Sequence, residues 1–350
     1  MPYPFQTKQS STTREDTMTL PIISLEKLVA GDGTEIDRLR QVTHEIGFFY
    51  LSDHGIPVDL QAEMFAVAKE FFALPQEAKE EIAFTDNPHY RGYSRLGEEL
   101  TQGRTDWREQ IDYGADRPAW TEGLTEYPWR VLEGPNPWPS ALPRMRPLIN
   151  DWQERLSDVG LELLRAWAVS LGQAPDYFDD IFDHPHPMMK LAHYPAPANG
   201  EAGQGVGAHH DAGVLTLLLP EEGSGGLQVQ RDGEWFDVEA LPDLFIVNIG
   251  ELLEAATDGY LVSTPHRVLP SPPGTARFSI PFFLTPNLDA RFPRIPLAPE
   301  LAAEARGLGR DMAGQEISDI SGLNTLKSRL RAHPETTARY HSELAATLGA

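Results

Sequence analysis

Apolar positions in the first half of the chain recur with the spacing of amphipathic helices. Between residues 20 and 180, several stretches place apolar side chains at every third or fourth position, which makes one face of each helix apolar. Each of these stretches ends at a glycine or a proline, the residue types that commonly terminate helices. The predicted helices span residues 33–47, 58–75 and 143–172. Residues 20–28 predict a short strand that leads towards a helix, and residues 48–57 predict a strand followed by a turn.

From about residue 186 the pattern changes to short apolar runs. Glycine and proline separate seven or more such runs, among them VLTLLLP, LFIVNIG and ARFSIPFFLTP. Many short strands divided by turn residues are typical of a β-sandwich or barrel. Helical spacing returns at residues 299–307 and 321–348, whereas residues 85–145 are rich in proline, glycine and tryptophan and predict long connections. The pattern as a whole predicts a mostly β core with surrounding helices.

We expect one domain over most of the chain. Residues 1–18 are polar and rich in serine and threonine, which predicts a disordered N-terminal tail. Residues 19–350 contain no obvious linker and no internal repeat, so a single domain is predicted. Within it we expect a mainly helical N-terminal region at 19–180, the β core at 181–290 and a helical C-terminal region at 291–350.

Composition narrows the classes of function. The formal net charge is −23, with 29 basic and 52 acidic residues, so the surface repels the phosphates of nucleic acids. No stretch approaches the roughly 20 apolar residues that span a bilayer, and the N-terminus has no apolar segment typical of a signal peptide. Cysteine is absent, which excludes disulfides and thiolate metal sites. We therefore expect a cytoplasmic protein without nucleic-acid or membrane partners; the sequence does not predict an oligomeric state.

One carboxylate and two histidines are the main candidates for a chemical site. His209 and Asp211 are two positions apart in the segment GVGAHHDAGVLTLLL, and His266 follows Asp211 by 55 positions. Because side chains alternate along an extended segment, His209 and Asp211 share one side, and His210, the alternative ligand, points to the other. Two imidazoles and one carboxylate on one face of a metal are the ligand set of non-haem Fe(II) oxygenases. The sequence predicts such a site at His209, Asp211 and His266.

Arg277 and Ser279 form a second pair with the same alternating spacing. Arg277 follows His266 by 11 positions, which fits a return strand beside the strand that carries the histidine. A guanidinium matches a carboxylate in a bidentate manner, and a neighbouring hydroxyl can donate a further hydrogen bond. The alternative for Arg277 is a salt bridge at the mouth of the barrel. We favour a carboxylate-binding role beside the metal.

Several motifs occur in a characteristic order: GFFYLSDHGIP, HYP, HHDAGVLTLLL, NIGELLEAATDG, STPHRV and RFSIPFF. With these motifs the chain resembles the isopenicillin N synthase-like family of Fe(II)- and 2-oxoglutarate-dependent oxygenases, over roughly residues 20–290. The resemblance implies a double-stranded β-helix, which is a cupin-like jelly-roll barrel. Residues 181–290 would form the jelly-roll core with the iron site, within a single oxygenase domain at 19–350.

The resemblance also implies residue roles. His209, Asp211 and His266 would bind Fe(II), while Arg277 and Ser279 would bind the far carboxylate of 2-oxoglutarate, with Tyr194 of the HYP motif assisting. Family members usually carry asparagine two positions before this tyrosine, whereas this chain has Ala192, so one supporting hydrogen bond is not expected. The implied activity uses dioxygen and 2-oxoglutarate to oxidise an unactivated C–H bond of a small molecule, by hydroxylation, desaturation or cyclisation. Succinate and carbon dioxide are released.

Two other functions stay open from the sequence. An iron oxidase of the isopenicillin N synthase or ethylene-forming type does not consume 2-oxoglutarate and uses the same Arg-x-Ser pair for another anion. A non-catalytic binding protein could retain the same barrel. For the substrate pocket, Phe283 continues the alternation from Arg277, and Arg91 and Tyr93 fall in a segment that approaches the substrate in related enzymes. Each of these three residues is a candidate for substrate contact and also for packing.

Overall fold

The computed structural model describes residues 19–197, 203–308 and 318–349. The predicted disordered tail at residues 1–18 lies outside the described residues. None of the described helices is long and apolar enough to cross a membrane. The helices are α1 (Leu25–Val29), α2 (Gly33–Glu45), α3 (Val58–Phe72), α4 (Gln76–Glu80), α5 (Met145–Ser170), α6 (Glu251–Ala256), α7 (Pro299–Ala302), α8 (Ser321–Ala332), α9 (Pro334–Tyr340) and α10 (Ser342–Leu348).

The described strands form two main sheets and one small hairpin. They are β1 (Ile22–Ser24), β2 (Phe48–Ser52), β3 (Gly92–Ser94), β4 (Leu100–Thr101), β5 (Arg104–Thr105), β6 (Glu109–Gly114), β7 (Met188–Tyr194), β8 (Val206–His209), β9 (Leu215–Pro220), β10 (Leu227–Arg231), β11 (Glu234–Asp237), β12 (Phe245–Ile249), β13 (His266–Val268) and β14 (Arg277–Leu284).

The larger sheet has eight strands in the order β1-β2-β12-β9-β14-β7-β6-β3. Its strand β12 is buried on both faces, because Phe245 and Val247 pack in the core beneath the helices and Ile246 packs in a second core on the other face. A strand that is buried on both faces is largely apolar. This burial explains the apolar run LFIV at residues 244–247, which is followed by the buried polar residue Asn248.

The smaller sheet has four strands in the order β11-β10-β13-β8. The second core contains Tyr50 and Ile246 of the larger sheet together with Val206 and Val229 of the smaller one. The two sheets therefore pack face to face, and helices cover the outer face of the larger sheet. The architecture is a jelly roll with surrounding helices, as the sequence predicts.

Part of the region that the sequence predicts to be mainly helical belongs to the larger sheet. Strands β1, β2, β3 and β6 all lie before residue 180, so the sheet is not confined to residues 181–290. All residues of β6 are buried, including Glu109, Gln110 and Asp112. Since these buried residues are polar, no hydrophobic pattern identifies the strand. Their ion pairs and hydrogen bonds, which need partners from distant segments, compensate for burial.

The C-terminal helices pack at one end of the barrel. Leu326 and Leu330 of α8 lie in a third core with Phe84 and Trp129. The helical structure predicted at residues 321–348 is divided into three helices, because α8 ends at Ala332, α9 begins at Pro334 and α10 begins at Ser342. A proline lacks the backbone N–H and disfavours helical geometry in the preceding residue. His333 indeed has φ −128° and ψ 67°. The helix predicted at 299–307 is likewise shorter, Pro299–Ala302.

Candidate active site

His209 and His266 face each other across two neighbouring strands of the smaller sheet. His209 is the last residue of β8, His266 is the first residue of β13, and the antiparallel pairing places them in register. Their ring centroids are 4.3 Å apart. Asp211 follows β8 by two residues and lies against both rings. The sheet thus brings together the three side chains that the His-x-Asp spacing and the distant histidine predict.

The potential ligand atoms of these residues converge on one point. Nε2 of His209 lies 3.6 Å from Oδ1 of Asp211, and Nε2 of His266 lies 3.7 Å from the same oxygen. All three ligand atoms lie within 4.8 Å of one another. Asp211 and His266 are buried, whereas His209 is partly exposed to the cavity. Two imidazole nitrogens and one carboxylate oxygen in this arrangement can hold a divalent metal.

Backbone carbonyls fix the orientation of both imidazoles. Nδ1 of His209 lies 2.9 Å from the carbonyl oxygen of Gly207, and Nδ1 of His266 lies 3.1 Å from that of Thr264. A carbonyl oxygen can only accept, so Nδ1 is the donor in each ring. In the neutral imidazole Nε2 then carries a free lone pair, as a metal ligand requires.

The second carboxylate oxygen of Asp211 is bound by the protein. Oδ2 accepts hydrogen bonds from the Thr216 hydroxyl on β9 and, at 2.8 Å, from Nδ2 of Asn248 on β12. Both donors belong to the larger sheet, so the carboxylate bridges the two sheets. Its other oxygen, Oδ1, remains directed at the two histidines. Sequence reasoning did not assign these roles, because Thr216 and Asn248 meet Asp211 only in the folded barrel.

The start of α6 fixes the backbone around Asp211. The N–H of Glu251 donates to the carbonyl oxygen of Asp211 at 2.7 Å. A Cβ atom on Gly250 would lie 2.2 Å from the carbonyl oxygen of Gly213, so only glycine permits this close approach. The motif NIGELLEAATDG therefore supplies Asn248 as a donor and Gly250 as the contact between two backbone segments.

Electrostatics keep this group of side chains in the protonation states that a metal site needs. Burial, together with the neighbouring His266, lowers the pKa of His209 to about 4. Burial alone would raise the pKa of Asp211. His266 and His209, with the hydrogen bonds from Asn248 and Thr216, nevertheless hold it below its ordinary value. At neutral pH, therefore, the carboxylate is ionised and the His209 ring is neutral.

Arg277, Ser279 and Tyr194 lie together on the same wall of the barrel. Arg277 is the first residue of β14 and pairs in register with Tyr194 of β7; its guanidinium lies 4.8 Å from the centre of the tyrosine ring. Ala192, which replaces the usual asparagine, is buried and pairs in register with Ser279. Burial lowers the pKa of Arg277, and Tyr194 and Glu221 oppose this effect. Nε and Nη1 of Arg277 are buried and have no hydrogen-bond acceptor among the described residues.

These residues fit Fe(II) and a dicarboxylate. The metal position has nitrogen and oxygen donors without sulfur, a set suited to iron. The buried guanidinium has two unsatisfied N–H groups, and leaving such groups unpaired is costly unless a ligand accepts from them. The carboxylate of a small acid supplies the acceptors in a bidentate geometry.

A cavity of about 1040 Å³ joins the two parts of the site. Every second residue of β14 contributes to its wall, as expected for one face of a strand. These residues are Arg277, Ser279, Pro281 and Phe283. His210 also lies on the cavity wall, but the group whose ligand atoms converge consists of His209, Asp211 and His266.

Arg91 and Tyr93 have other environments. Neither is among the described residues that line the cavity. The buried guanidinium of Arg91 donates to the carbonyl oxygens of Ala115 at 2.8 Å and Leu132 at 3.0 Å, so it holds a connection in place. The hydroxyl of Tyr93 donates to the carboxylate of Glu109. These contacts favour packing, the alternative that the sequence left open for Arg91 and Tyr93.

A buried network of charges forms a further part of the cavity wall. Lys190 lies 2.8 Å from Asp112, and Arg108 lies 2.9 Å from Glu99. Arg329 of α8 lies 3.1 Å from the same Asp112. Sequence reasoning missed this network, because its members come from segments between residues 99 and 329 with no shared spacing. The only available signal was Lys190, a charged residue inside the short apolar run MMKLAHYP.

Two parts of the chain match known families. Residues 20–141 match the family described as the N-terminal part of a non-haem dioxygenase in morphine synthesis. Residues 185–286 match the 2OG-Fe(II) oxygenase superfamily. The second match contains His209, Asp211, His266, Arg277 and Ser279. The fold and the site thus define a non-haem iron oxygenase of the 2-oxoglutarate-dependent class.

Individual relatives are similar in sequence or structure over most of the chain. The chain is 34% identical to the 2-oxoglutarate-dependent dioxygenase frbJ of Dothideomycetidae sp. (strain 11243), over 92% of each protein. It is 32% identical to homoarginine-6-hydroxylase 2-ODD-C23.1 of Arabidopsis thaliana, over 79% of this chain and 87% of the relative. The crystal structure of Neurospora crassa T7H with alpha-KG and thymine has a TM-score of 0.72 and 26% identity, over 92% of this chain and 99% of that one.

The chain belongs to the 2OG-Fe(II) oxygenase superfamily, and it is a non-haem Fe(II)- and 2-oxoglutarate-dependent dioxygenase. Fe(II), 2-oxoglutarate and dioxygen are its cofactor and co-substrates. The relatives with catalytic names are 2-oxoglutarate-dependent enzymes, which favours this function over an oxidase that does not consume 2-oxoglutarate. They equally disfavour a non-catalytic binding protein.

Proposed function

We propose that His209, Asp211 and His266 bind the Fe(II) of this dioxygenase. The convergence of their ligand atoms within 4.8 Å is the observation that carries the proposal. The opposite atoms of the same side chains are engaged by backbone carbonyls, Thr216 and Asn248, so the ligand atoms are held ready for the metal. Such outer contacts orient the ligands of metal sites and raise their affinity.

In the same proposal, Arg277 and Ser279 bind the far carboxylate of 2-oxoglutarate, and Tyr194 packs against the guanidinium. Burial of Arg277 strengthens its attraction for a carboxylate, since the surrounding dielectric is low. The unsatisfied Nε and Nη1 atoms are in place to donate. Ala192 leaves room beside Ser279 without adding a polar group. Tyr194 therefore contributes mainly through its ring, which lies over the guanidinium.

When bound, Fe(II) and dioxygen couple the oxidative decarboxylation of 2-oxoglutarate, which yields succinate and carbon dioxide, to oxidation of a substrate C–H bond. The protein supplies orientation and a site shielded from water. Asp211 and His266 are buried, so water has little access to the ligand side of the metal. His209 borders the cavity, which leaves space for the substrate beside the metal position.

The proposed substrate is a small molecule, hydroxylated by default and otherwise desaturated or cyclised. The cavity volume of about 1040 Å³ accommodates such a molecule together with 2-oxoglutarate. Phe283 and Pro281 offer apolar contact in the part of the wall that continues from Ser279. One relative is named a homoarginine-6-hydroxylase, and the crystal structure of another, T7H, is of a complex with alpha-KG and thymine. We further propose that the enzyme acts in the cytoplasm, as the cysteine-free sequence suggests.

The test is Fe(II)-dependent formation of succinate from 2-oxoglutarate, measured with a panel of small molecules that includes homoarginine and thymine. Arg277→Met removes the guanidinium while keeping the bulk of the side chain. We expect its KM for 2-oxoglutarate to rise roughly 10- to 150-fold, since a charge-assisted contact contributes about 1.5–3 kcal/mol. The control is Arg267→Met, because Arg267 lies on β13, pairs with Gln228 and lies over the Trp235 ring. An unchanged KM for 2-oxoglutarate in Arg277→Met would contradict the proposal that Arg277 binds 2-oxoglutarate.

A further inference from the structure

We propose that the substrate carries an anionic group, a carboxylate or a phosphate, which Lys327 and Arg331 of α8 bind. This inference rests on the proposed function, because it assigns a substrate class to the same cavity. The two basic residues are four positions apart, so they lie on one face of the helix.

The face of α8 that carries these residues points into the cavity. Asn324, Lys327, Ser328 and Arg331 have helical spacing, and all four line the cavity that contains the metal position. The other face carries Leu326, which is buried in the third core. Helix α8 is thus amphipathic: its apolar face packs in the third core, and its polar face borders the cavity.

Lys327 and Arg331, like Arg277, line the cavity without an ion pair to a carboxylate. The acidic influence on Arg331 is the electrostatic interaction with Glu251 of the same wall. Within residues 19–197, 203–308 and 318–349, neither Lys327 nor Arg331 makes an ion pair, whereas Lys190 and Arg329 both pair with Asp112. A charged side chain that lines a cavity without a counter-ion is available for a charged ligand. Lys327 is half-buried, which strengthens such an interaction relative to a fully exposed site.

The charge of the cavity wall is opposite to that of the whole protein. The chain has 29 basic and 52 acidic residues. The acidic residues of the wall are Glu99, Asp211 and Glu251. The basic residues of the wall are Arg108, Lys190, Arg277, Lys327, Arg329 and Arg331. Arg108, Lys190 and Arg329 are paired with Glu99, Asp106 and Asp112. Arg277, Lys327 and Arg331 are therefore the basic residues of the wall that are left to attract an anion.

The position of α8 separates this anion site from that of 2-oxoglutarate. Arg277 and Phe283 are six positions apart on β14, a distance of roughly 20 Å along the strand. Met188 pairs in register with Phe283, and Nη2 of Arg329 lies 3.5 Å from the sulfur of Met188. Helix α8 therefore lies at the Phe283 end of the cavity, away from Arg277. One anion cannot contact both sites unless it spans most of the strand.

Binding of matched probes to the Fe(II)- and 2-oxoglutarate-loaded protein tests the proposal. Equilibrium dialysis under anaerobic conditions measures phenylacetate and hexanoate against their primary amides, with phenyl phosphate as the phosphate probe. Saturating 2-oxoglutarate occupies the Arg277 site. We expect at least one anionic probe to bind about tenfold or more tightly than the neutral amides. The tighter of the carboxylate and phosphate probes identifies the anionic group.

The variant Lys327→Met/Arg331→Met removes both charges and keeps the length of the side chains. We expect it to lose about tenfold or more in affinity for the anionic probe. The control Lys27→Met/Arg294→Met removes the same charge from exposed positions outside the cavity and is expected to bind as the wild type does. A circular dichroism spectrum and unchanged 2-oxoglutarate affinity report that the variant is folded.

Three results would overturn the proposal: amides that bind as tightly as the acids, a double variant that retains the affinity, or a loaded wild type that binds none of the anionic probes. A protein that fails to bind Fe(II) and 2-oxoglutarate is a different result. It contradicts the proposed function. The same dialysis experiment detects it, because the amounts of Fe(II) and 2-oxoglutarate that the protein retains are measured as well.

Discussion

At the residue scale, the metal position is defined by atoms that the protein leaves free. His209 and His266 each commit Nδ1 to a backbone carbonyl, and Asp211 commits Oδ2 to Thr216 and Asn248. The remaining atoms, two Nε2 and one Oδ1, converge. Because each of these side chains is held by a contact of its own, the protein limits the orientations that they can adopt, which lowers the entropic cost of metal binding.

Thr216→Val tests the importance of these outer contacts. Loss of the hydroxyl removes one of the two hydrogen bonds to Oδ2 while keeping the size of the side chain. We expect the Fe(II) affinity to fall about 10- to 100-fold, measured by anaerobic dialysis, with the folded state retained. The matched control is Thr285→Val, a threonine on the same cavity wall without a contact to Asp211. Equal affinities in the two variants would show that Thr216 does not position the carboxylate.

The sequence predicted the convergent residues but not their supports. His209 and Asp211 follow from alternation along one segment, and this local rule holds wherever a chain is extended. Thr216 and Asn248 reach Asp211 from two different strands of the other sheet. Their role depends on how the sheets pack, and no local spacing encodes that packing.

At the element scale, α8 closes one end of the cavity and is held there in two ways. Leu326 and Leu330 pack in the third core, while Arg329 pairs with Asp112 of β6 at 3.1 Å. Burial by itself would raise the pKa of Asp112, but Lys190 and Arg329 hold it below its ordinary value. The carboxylate is therefore charged, and the ion pair links the C-terminal helix to the larger sheet.

Arg329→Met tests this link. Removal of one partner from a buried ion pair is strongly destabilising. Because Lys190 still faces Asp112, we expect the free energy of unfolding to fall by about 3 kcal/mol, the lower end of the usual range. Urea unfolding measures the change. The control is Arg339→Met, whose ion pair with Asp86 is largely exposed and is expected to contribute little to stability. Similar losses in both variants would contradict a structural role for the Arg329–Asp112 pair.

The sequence predicts the elements whose apolar residues recur periodically, but it does not predict a strand whose buried residues are largely polar. The predicted helix at 143–172 occurs as α5, Met145–Ser170, because its apolar stripe packs in the core. Strand β6 was missed because its buried residues are charged and satisfied by distant partners. Pro334 explains one break within residues 321–348. A proline cannot continue the preceding helix, so α8 ends at Ala332 and α9 begins at Pro334.

At the scale of the whole molecule, charge is distributed unequally between surface and interior. The whole chain has a net charge of −23, whereas the cavity wall carries more basic than acidic residues. Total composition gave only the first of these facts. The excess of basic residues on the cavity wall depends on which basic side chains face the cavity. For Lys327 and Arg331, this depends on the orientation of α8 in the folded protein. The fold class was predictable from the order of helical and strand periodicities along the chain. The basic character of the part of the cavity that α8 lines was not.

The division of the chain into regions was predictable only in outline. A helical N-terminal part, a β core and a helical C-terminal part follow from the order of the periodicities. The larger sheet, however, recruits β1, β2, β3 and β6 from the N-terminal part. These strands pair with partners far away in sequence, and such pairing cannot be read from local periodicity.

The central claim is that His209, Asp211 and His266 hold the Fe(II) of this dioxygenase. Anaerobic equilibrium dialysis of Fe(II) against the wild type, Asp211→Ala and His210→Ala tests it most directly. His210 is the neighbouring cavity residue outside the convergent group, so its variant is the matched control. The account predicts that the wild type and His210→Ala each retain one equivalent of Fe(II) and that Asp211→Ala retains none at the same free concentration. Full retention by Asp211→Ala, or loss in His210→Ala alone, would contradict it.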